Sequence, residues 1–289
     1  MAVYEHTYRR YEGPLTSPGR RWAVIPRYAL RSLFASRLLL AFYVLCLVPP
    51  LLGALVLYLR FYSSSLAAFG LDLRSFLTID EMFFAVQLIS QGALAFFLTV
   101  VIAPAMISAD LRNEALPLYL SRPMTRPGYL SGKAVVLVLL LSGITWVPIL
   151  GLWLIQTYLE EGWAARFAWL PLNLLIASGV WIAVLCLLGL AVSVWVKWKT
   201  LARLGLFAYF FVSAAIAALV DVIFGRISQT PWSDSLSLFT SVRVVWRALL
   251  HRPPAGGLPT WAGALSLVVL CALCAWLLDR KLRAYEVVK

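Results

Sequence analysis

The charged residues that could do chemistry are concentrated in one insertion between two long apolar stretches, from Ile107 to Val136. Its charged side chains are Asp110, Arg112, Glu114, Arg122, Arg126 and Lys133. Because charged groups are costly to place in hydrocarbon, we expect this insertion to be a water-exposed loop. Such a loop could contact a soluble partner.

Nucleotide binding is the first chemistry that the insertion suggests. Residues Gly128 to Lys133 follow the pattern G-x-x-x-G-K and are followed by Ala134. A phosphate-binding loop needs G-x-x-x-x-G-K-[ST] after a strand, so that backbone N–H groups and the lysine reach the phosphates. The spacing is one residue short and the hydroxyl is missing. The sequence therefore predicts no ATP site in this chain, and any ATP energy would come from another subunit.

Metal chemistry and ion coupling have equally little support. The only histidines are His6 and His251, and no His, Asp or Glu cluster has metal-ligand spacing. Cys271 and Cys274 form a C-x-x-C inside an apolar run, where we expect them to pack as small hydrophobic residues. Asp221 is the one charge predicted inside a span, whereas ion-coupled carriers place such groups near the midplane. We therefore expect no catalytic residue and no bound metal.

The elements that must hold the insertion are membrane spans. The chain has 289 residues, of which 62% are hydrophobic and 13% charged, and a mean hydropathy of +0.85. These values lie outside the range of soluble domains. A helix needs about 20 mostly apolar residues to cross the hydrocarbon core. Six segments predict an all-α integral membrane protein: Leu38–Tyr58, Met82–Ile107, Ala134–Tyr158, Trp169–Val196, Leu204–Phe224 and Thr260–Leu278.

The basic residues orient these six spans. With a cytoplasmic N-terminus, seven of the 25 basic residues fall in outer connections, which leaves 18 on the inner side. The outer seven are Arg60, Arg74, Arg166, Arg226, Arg243, Arg247 and Arg252. Because cytoplasmic connections carry the excess of Lys and Arg, both termini and the insertion are predicted to be cytoplasmic. The predicted organisation is a cytoplasmic segment over 1–37, a transmembrane domain over 38–278 and a cytoplasmic tail over 279–289.

Two amphipathic segments flank the spans. At 100° per residue, Arg27 and Arg31 lie opposite Leu33, which predicts an interfacial helix within residues 1–37. Within residues 225–259, Arg243 and Arg247 lie opposite Val245 and Leu249, with Trp246 at the edge of the same apolar face, which predicts a second amphipathic helix on the outer side. This helix either lies on the membrane surface or packs on the outer ends of the spans. Arg243, Trp246 and Arg247 are candidate contacts for lipid or for an outer partner.

Neutral polar residues occur inside two spans. Gln87, Ser90 and Gln91 share one face of the second span, and Asn173 lies in the fourth. Such groups either hydrogen-bond between helices or line a cavity. These four residues are therefore candidates for lining a path through the membrane.

Small residues at four-residue spacing mark the fifth span. The two pairs are Ser213 with Ala217 and Ala214 with Ala218. This spacing lets helices approach closely. The pairs are candidates for packing against a second copy of the chain, although packing within one copy fits the spacing equally well.

The insertion also has a recognisable order of residues. Its acidic stretch predicts a short helix from about Asp110 to Leu120, and two prolines then make a stiff turn. The order is an acidic stretch over Asp110 to Glu114, an apolar stretch over Leu118 to Leu120, Ser121-Arg122-Pro123, Arg126 and Tyr129-Leu130-Ser131-Gly132-Lys133. It resembles the first cytoplasmic loop of permease subunits of type-2 ATP-binding-cassette exporters, and the six-span plan resembles theirs too. Many members have Gly-Thr where this chain has Ala115-Leu116.

The resemblance implies a coupling helix at about 108–133 that docks on a cytoplasmic ATPase subunit. Two ATPase subunits, which bind ATP and Mg, would work with two permeases, either a homodimer or a pair of paralogues. The chain would be a multi-pass protein of the prokaryotic cell membrane, in contact with lipid, and we expect no nucleic acid partner. An alternative hypothesis is a mechanical transmitter that passes ATP-driven motion to an extracytoplasmic protein without moving a solute.

Overall fold

The computed structural model describes residues 24–62, 78–113, 126–228, 232–253 and 257–283. These residues form eleven α-helices and a short 3-10 helix, Trp232–Leu236, without any strand. The α-helices are α1 Val24–Phe34, α2 Arg37–Leu45, α3 Val48–Phe61, α4 Glu81–Arg112, α5 Arg126–Ile144, α6 Trp146–Leu159, α7 Trp163–Arg166, α8 Leu170–Trp195, α9 Lys199–Ser228, α10 Leu238–Leu249 and α11 Thr260–Arg283.

Six helical stretches are long and apolar enough to cross a membrane. They are Arg37–Phe61, Glu81–Arg112, Pro127–Leu159, Leu170–Trp195, Lys199–Ile223 and Thr260–Lys281. The prediction of an all-helical chain with six candidate spans is therefore confirmed. The hydropathy signal was sufficient because an apolar helix of this length is recognisable without its neighbours.

Proline explains why two of the spans are broken. Pro49 has no N–H to donate to the carbonyl of Leu45, which is the last residue of α2. In the same way, Pro148 cannot donate to the carbonyl of Ile144, which is the last residue of α5. Pro104, in contrast, lies inside the unbroken 32-residue α4. The first and third spans are thus each made of two helices, whereas the second is continuous.

Helices α4 and α8 form the centre of the bundle. Within their most apolar stretches, 71% and 61% of the residues are buried. The corresponding share is 22% for the first span, 17% for the fifth and 28% for the sixth. The outer helices therefore leave large apolar faces uncovered within one copy of the chain, as expected where lipid or another chain covers them.

Small residues bring α4 and α8 into close contact. A Cβ added at Gly189 would lie 2.7 Å from the Cβ of Ala103. The hydroxyl of Ser193 donates to the carbonyl of Ala103 at 2.6 Å, and the hydroxyl of Ser108 donates to the carbonyl of Val196 at 2.7 Å. Because both packing and hydrogen bonds join them, the two central helices form one unit.

Helix α1 packs its apolar face on the bundle. Ile25, Leu30 and Leu33 contact the core, while Arg27 and Arg31 are exposed. Its neighbour is α5. The helix therefore separates its basic face from its apolar face along the pattern visible in the sequence.

Candidate functional site

The helices that flank the polar insertion run further than the sequence suggested. Helix α4 continues past Ile107 to Arg112, and α5 already begins at Arg126. Asp110 therefore lies in the last turn of a long helix and does not begin a short one. The rest of the predicted short helix, from Glu114 to Leu120, lies outside the described residues. Only residues 113–125, which we call the connection, separate the two helices. The extension of α4 has a physical reason at Asp110, because the charge of this residue is neutralised by Lys133 of α5.

Asp110, Tyr129 and Lys133 form a polar cluster where α4 meets α5. The carboxylate oxygen Oδ2 of Asp110 accepts a hydrogen bond from the Tyr129 hydroxyl at 2.7 Å and lies 2.8 Å from Nζ of Lys133. Tyr129 is 2% exposed and Lys133 is 8% exposed. Charge-assisted bonds of this kind are about twice as strong as neutral ones. We call these three residues the clamp, because they hold the two ends of the connection together.

The predicted docking residues divide into distinct groups. Asp110 and Lys133 bind each other, whereas Arg112 is exposed at the end of α4. Glu114 and Arg122 lie outside the described residues, and of Arg126 only the helical backbone is described. Tyr129 was not among the predicted docking residues. Its four-residue spacing from Lys133 was visible, but its bond to Asp110 depends on how two helices meet.

At the opposite end of the bundle, α10 inserts a tryptophan between the central helices. The indole N–H of Trp246 donates to the carbonyl of Ala177 at 2.9 Å, and the side chain is 6% exposed. A Cβ added at Gly92 would lie 2.5 Å from the tip of this ring. Gly92 lies 11 residues beyond Glu81, about 16 Å along α4. Helix α10 is therefore packed into the bundle, and Trp246 is not available as an outer contact.

Further hydrogen bonds hold α10 in place. The amide of Asn173 donates to the carbonyl of Leu249 at 2.7 Å, at the end of α10 where backbone carbonyls lack helical partners. Ser237 caps the other end by accepting from the N–H of Thr240. The hydroxyl of Ser266 donates to that of Ser241 at 2.8 Å. Asn173, predicted as a cavity residue, thus caps a helix in this structure.

Of the other predicted cavity residues, Gln87 and Gln91 are buried between helices and Ser90 is half-buried. Nε2 of Gln87 donates to the carbonyl of Pro49 at 3.4 Å, and the hydroxyl of Ser90 donates to the carbonyl of Gln87 at 2.9 Å. Gln91 is fully buried, and its amide has no hydrogen-bond partner among the described residues. Their polar groups therefore lie inside the packing of one chain.

The two small-residue pairs of the fifth span differ in exposure, although Ala217 of the first pair borders the same cavity as the second pair. Ser213 and Ala217 are buried, and the hydroxyl of Ser213 donates to the carbonyl of Phe210 at 3.0 Å. Ala214 and Ala218 are exposed and line a cavity of about 420 Å³. Only the second pair is therefore open to contact with another chain.

Two acids line the same 420 Å³ cavity. They are Asp221 and Asp234, the latter in the 3-10 helix before α10. Burial, followed by the negative charge of Asp221, raises the pKa of Asp234. This side of α10 is thus acidic.

A separate cavity of about 350 Å³ lies between α4, α8, α9 and α10. Its aromatic lining consists of Phe96, Phe97, Trp181, Phe210, Phe211, Phe239 and Trp246. Three arginines, Arg243, Arg247 and Arg252, also border it. The cavity is therefore apolar along its walls and positively charged at its border.

No protein-family model and no curated protein matches the sequence. Function must therefore be inferred from geometry, in particular from the clamp and its connection at one end and from α10 with its cavity at the other.

Proposed function

We propose that the chain is the permease subunit of a type-2 ATP-binding-cassette exporter. A separate ATPase subunit would dock on the connection and drive the spans between two conformations that move a substrate. The observation that supports this most is the clamp. It bonds together the two helix ends between which the connection runs.

The clamp would pass force from the connection into the membrane. A push on residues 113–125 moves α4 and α5 together, because Asp110 is bonded to both Tyr129 and Lys133. Helix α4 is in turn bonded to α8 through Ser108 and Ser193. Displacement at the connection would therefore shift the two central helices as one unit, as coupling through packed elements requires.

In this arrangement the charged residues have two roles. Asp110 and Lys133 position the connection, while the exposed Arg112 and Asn113 are free to contact the ATPase. ATP and Mg would bind to the ATPase alone. The uncovered faces of the first and fifth spans would contact lipid or a second permease.

Charge reversal at Arg112 tests the proposal. The Arg112→Glu variant should lose co-purification with the cognate ATPase and lose the permease-dependent stimulation of ATP hydrolysis. Arg203→Glu is the matched control, since Arg203 is an exposed arginine at the same end of the bundle but on α9. Equal co-purification and equal hydrolysis with both variants would contradict the proposal.

The second candidate, a mechanical transmitter, is favoured by the anchoring of α10. Because Trp246 and Asn173 bond α10 to α8, motion of the central helices would reach this helix directly. A photo-crosslinker at the exposed position Ala248 would then capture one outer protein only during ATP turnover. Capture that is independent of ATP, or no capture, would leave transport as the better account.

A further inference from the structure

We propose that the 350 Å³ cavity beside α10 binds an acidic membrane lipid. The phosphate would lie on Arg243, Arg247 and Arg252, and an acyl chain would lie against Phe97 and Phe211. This inference does not depend on the proposed transport function, because it requires only that the chain lies in a membrane.

The walls of the cavity suit an acyl chain. Its lining on α4 extends from Met82 to Phe97, which is about 22 Å along the helix. One half of the hydrocarbon core is about 15 Å deep. A lipid tail could therefore lie in the cavity over its full depth, whereas a small polar solute would leave most of the apolar wall uncovered.

The cavity is open in the direction from which a lipid would come. Its lining residues Ile89, Phe97 and Phe211 are 44%, 46% and 64% exposed. They belong to α4 and α9, two of the candidate spans. The opening between these helices thus faces sideways, and a tail can enter from the bilayer without crossing water.

The arginines supply a charge that the described residues do not balance. Arg243 and Arg247 lie one turn apart on α10. The guanidinium of Arg243 lies 4.4 Å from the centroid of the Phe239 ring, and that of Arg252 donates to the sulfur of Met82. None of the three has an acidic partner in the described part of the chain. A neighbouring arginine at the same end, Arg166, lies 2.7 Å from Glu160.

A phosphate would supply the anion that the arginines along this border lack. Arginine presents several N–H donors in a planar fork that matches phosphate oxygens. Basic pockets between membrane helices are suited to lipid head groups for this reason. The nearby acids Asp221 and Asp234 line the adjoining 420 Å³ cavity and not this one. The charge at the border therefore selects an anion.

A membrane lipid fits better than the two other occupants. A free anion would satisfy the arginines but would leave the aromatic wall exposed. A second copy of the chain could cover the wall, but it would have to bring acidic groups to the arginine border as well. A lipid with a phosphate and a tail satisfies both parts of the cavity together.

The first test compares lipids on the purified full-length chain. Native mass spectrometry should show phosphatidylglycerol bound in preference to phosphatidylcholine with the same acyl chains. The variant Arg243→Gln/Arg247→Gln/Arg252→Gln should weaken phosphatidylglycerol binding about tenfold or more, since charge-assisted hydrogen bonds are lost. The control Lys197→Gln/Lys199→Gln/Arg203→Gln removes the same charge from exposed residues at the opposite end and should leave binding unchanged. Equal weakening in both variants, or equal binding of the two lipids, would overturn the proposal.

Two further variants separate the roles of tail and head group. Ala93→Trp places a large ring in the cavity, which Ala93 lines, and should reduce phosphatidylglycerol binding with every arginine intact. The Lys substitutions at Arg243, Arg247 and Arg252 keep the charge and should retain the lipid preference at lower affinity, which tests the proposal if the Gln variant does not fold.

Displacement of the lipid by millimolar inorganic phosphate would show a free-anion site. Loss of a dimer in Ala93→Trp without loss of lipid binding would show that a second copy covers the cavity. Either result would contradict the lipid assignment.

Discussion

The two ends of the α4–α8 unit differ in whether their charged side chains are paired within the chain. At the connection, the carboxylate of Asp110 is matched by Lys133 and Tyr129 within the chain. Beside α10, three arginines border an apolar cavity without an acidic partner among the described residues. A charge paired internally stabilises one arrangement of helices, whereas an unpaired one is available to a ligand. Under the two proposals made above, the paired end transmits force and the unpaired end binds a ligand.

The largest expected effect on stability comes from replacing Trp246, because its loss would free α10 from the bundle. Trp246→Ala removes a buried ring and its bond to Ala177, and should destabilise the chain by about 3–5 kcal/mol. Thermal unfolding in detergent measures this change. Trp198→Ala is the control, because Trp198 is 71% exposed, and it should change stability by no more than about 0.5 kcal/mol. Equal losses in the two variants would mean that Trp246 does not anchor α10.

The next effect concerns the clamp. Lys133→Met leaves the mostly buried carboxylate of Asp110, 17% exposed, without its cation, and should destabilise the chain by about 2–3 kcal/mol. Adding Asp110→Asn should recover most of this loss, because the unpaired charge is removed while an oxygen remains for Tyr129. Arg283→Met breaks an exposed pair with Asp279 and should cost less than about 0.5 kcal/mol. If the double variant is no more stable than Lys133→Met in chemical denaturation, the unpaired charge of Asp110 is not the cause of the loss of stability.

A smaller effect on stability is expected at the contact between α4 and α8, the two helices that connect the two ends of the bundle. Gly189→Ala places a methyl group 2.7 Å from the Cβ of Ala103, and should cost about 1–2 kcal/mol by separating α4 from α8. Gly179, in the same helix, has open space where its Cβ would lie. Gly179→Ala should therefore be neutral or stabilise α8 by up to about 1 kcal/mol. Unfolding midpoints that change equally would show that the contact is not tight.

The smallest expected effect is a pH dependence of stability that is caused by Asp234. Its pKa is raised by burial and by Asp221, so the folded state holds the proton more tightly than the unfolded state does. The resulting stabilisation is complete below the unfolded pKa and is lost as the pH rises through the folded pKa. Asp234→Asn should therefore raise the unfolding temperature slightly at pH 7 and not at pH 3. An effect of Asp234→Asn on the unfolding temperature that is the same at pH 7 and at pH 3 would contradict this assignment.

Much of the fold could be read from local patterns. The six candidate spans follow from hydropathy, and the break after Ile144 follows from Pro148 four residues later. The candidate site was harder to predict from the sequence. The pattern over 107–136 identified Asp110 and Lys133 as important charges, but it did not show that they bind each other. Their contact joins two helices across residues 113–125, and no local signal sets that geometry.

The sequence by itself therefore determined that the chain is helical, that six stretches can cross a membrane and where its polar insertion lies. Each of these depends on residues close together along the chain. Tertiary structure alone decided that Trp246 enters between α4 and α8, that Asn173 caps α10, and that three arginines meet an aromatic cavity. Helices that are apolar all round carry no stripe to indicate which face meets which neighbour. Their pairing depends on small residues and single hydrogen bonds, which act only once the helices are in contact.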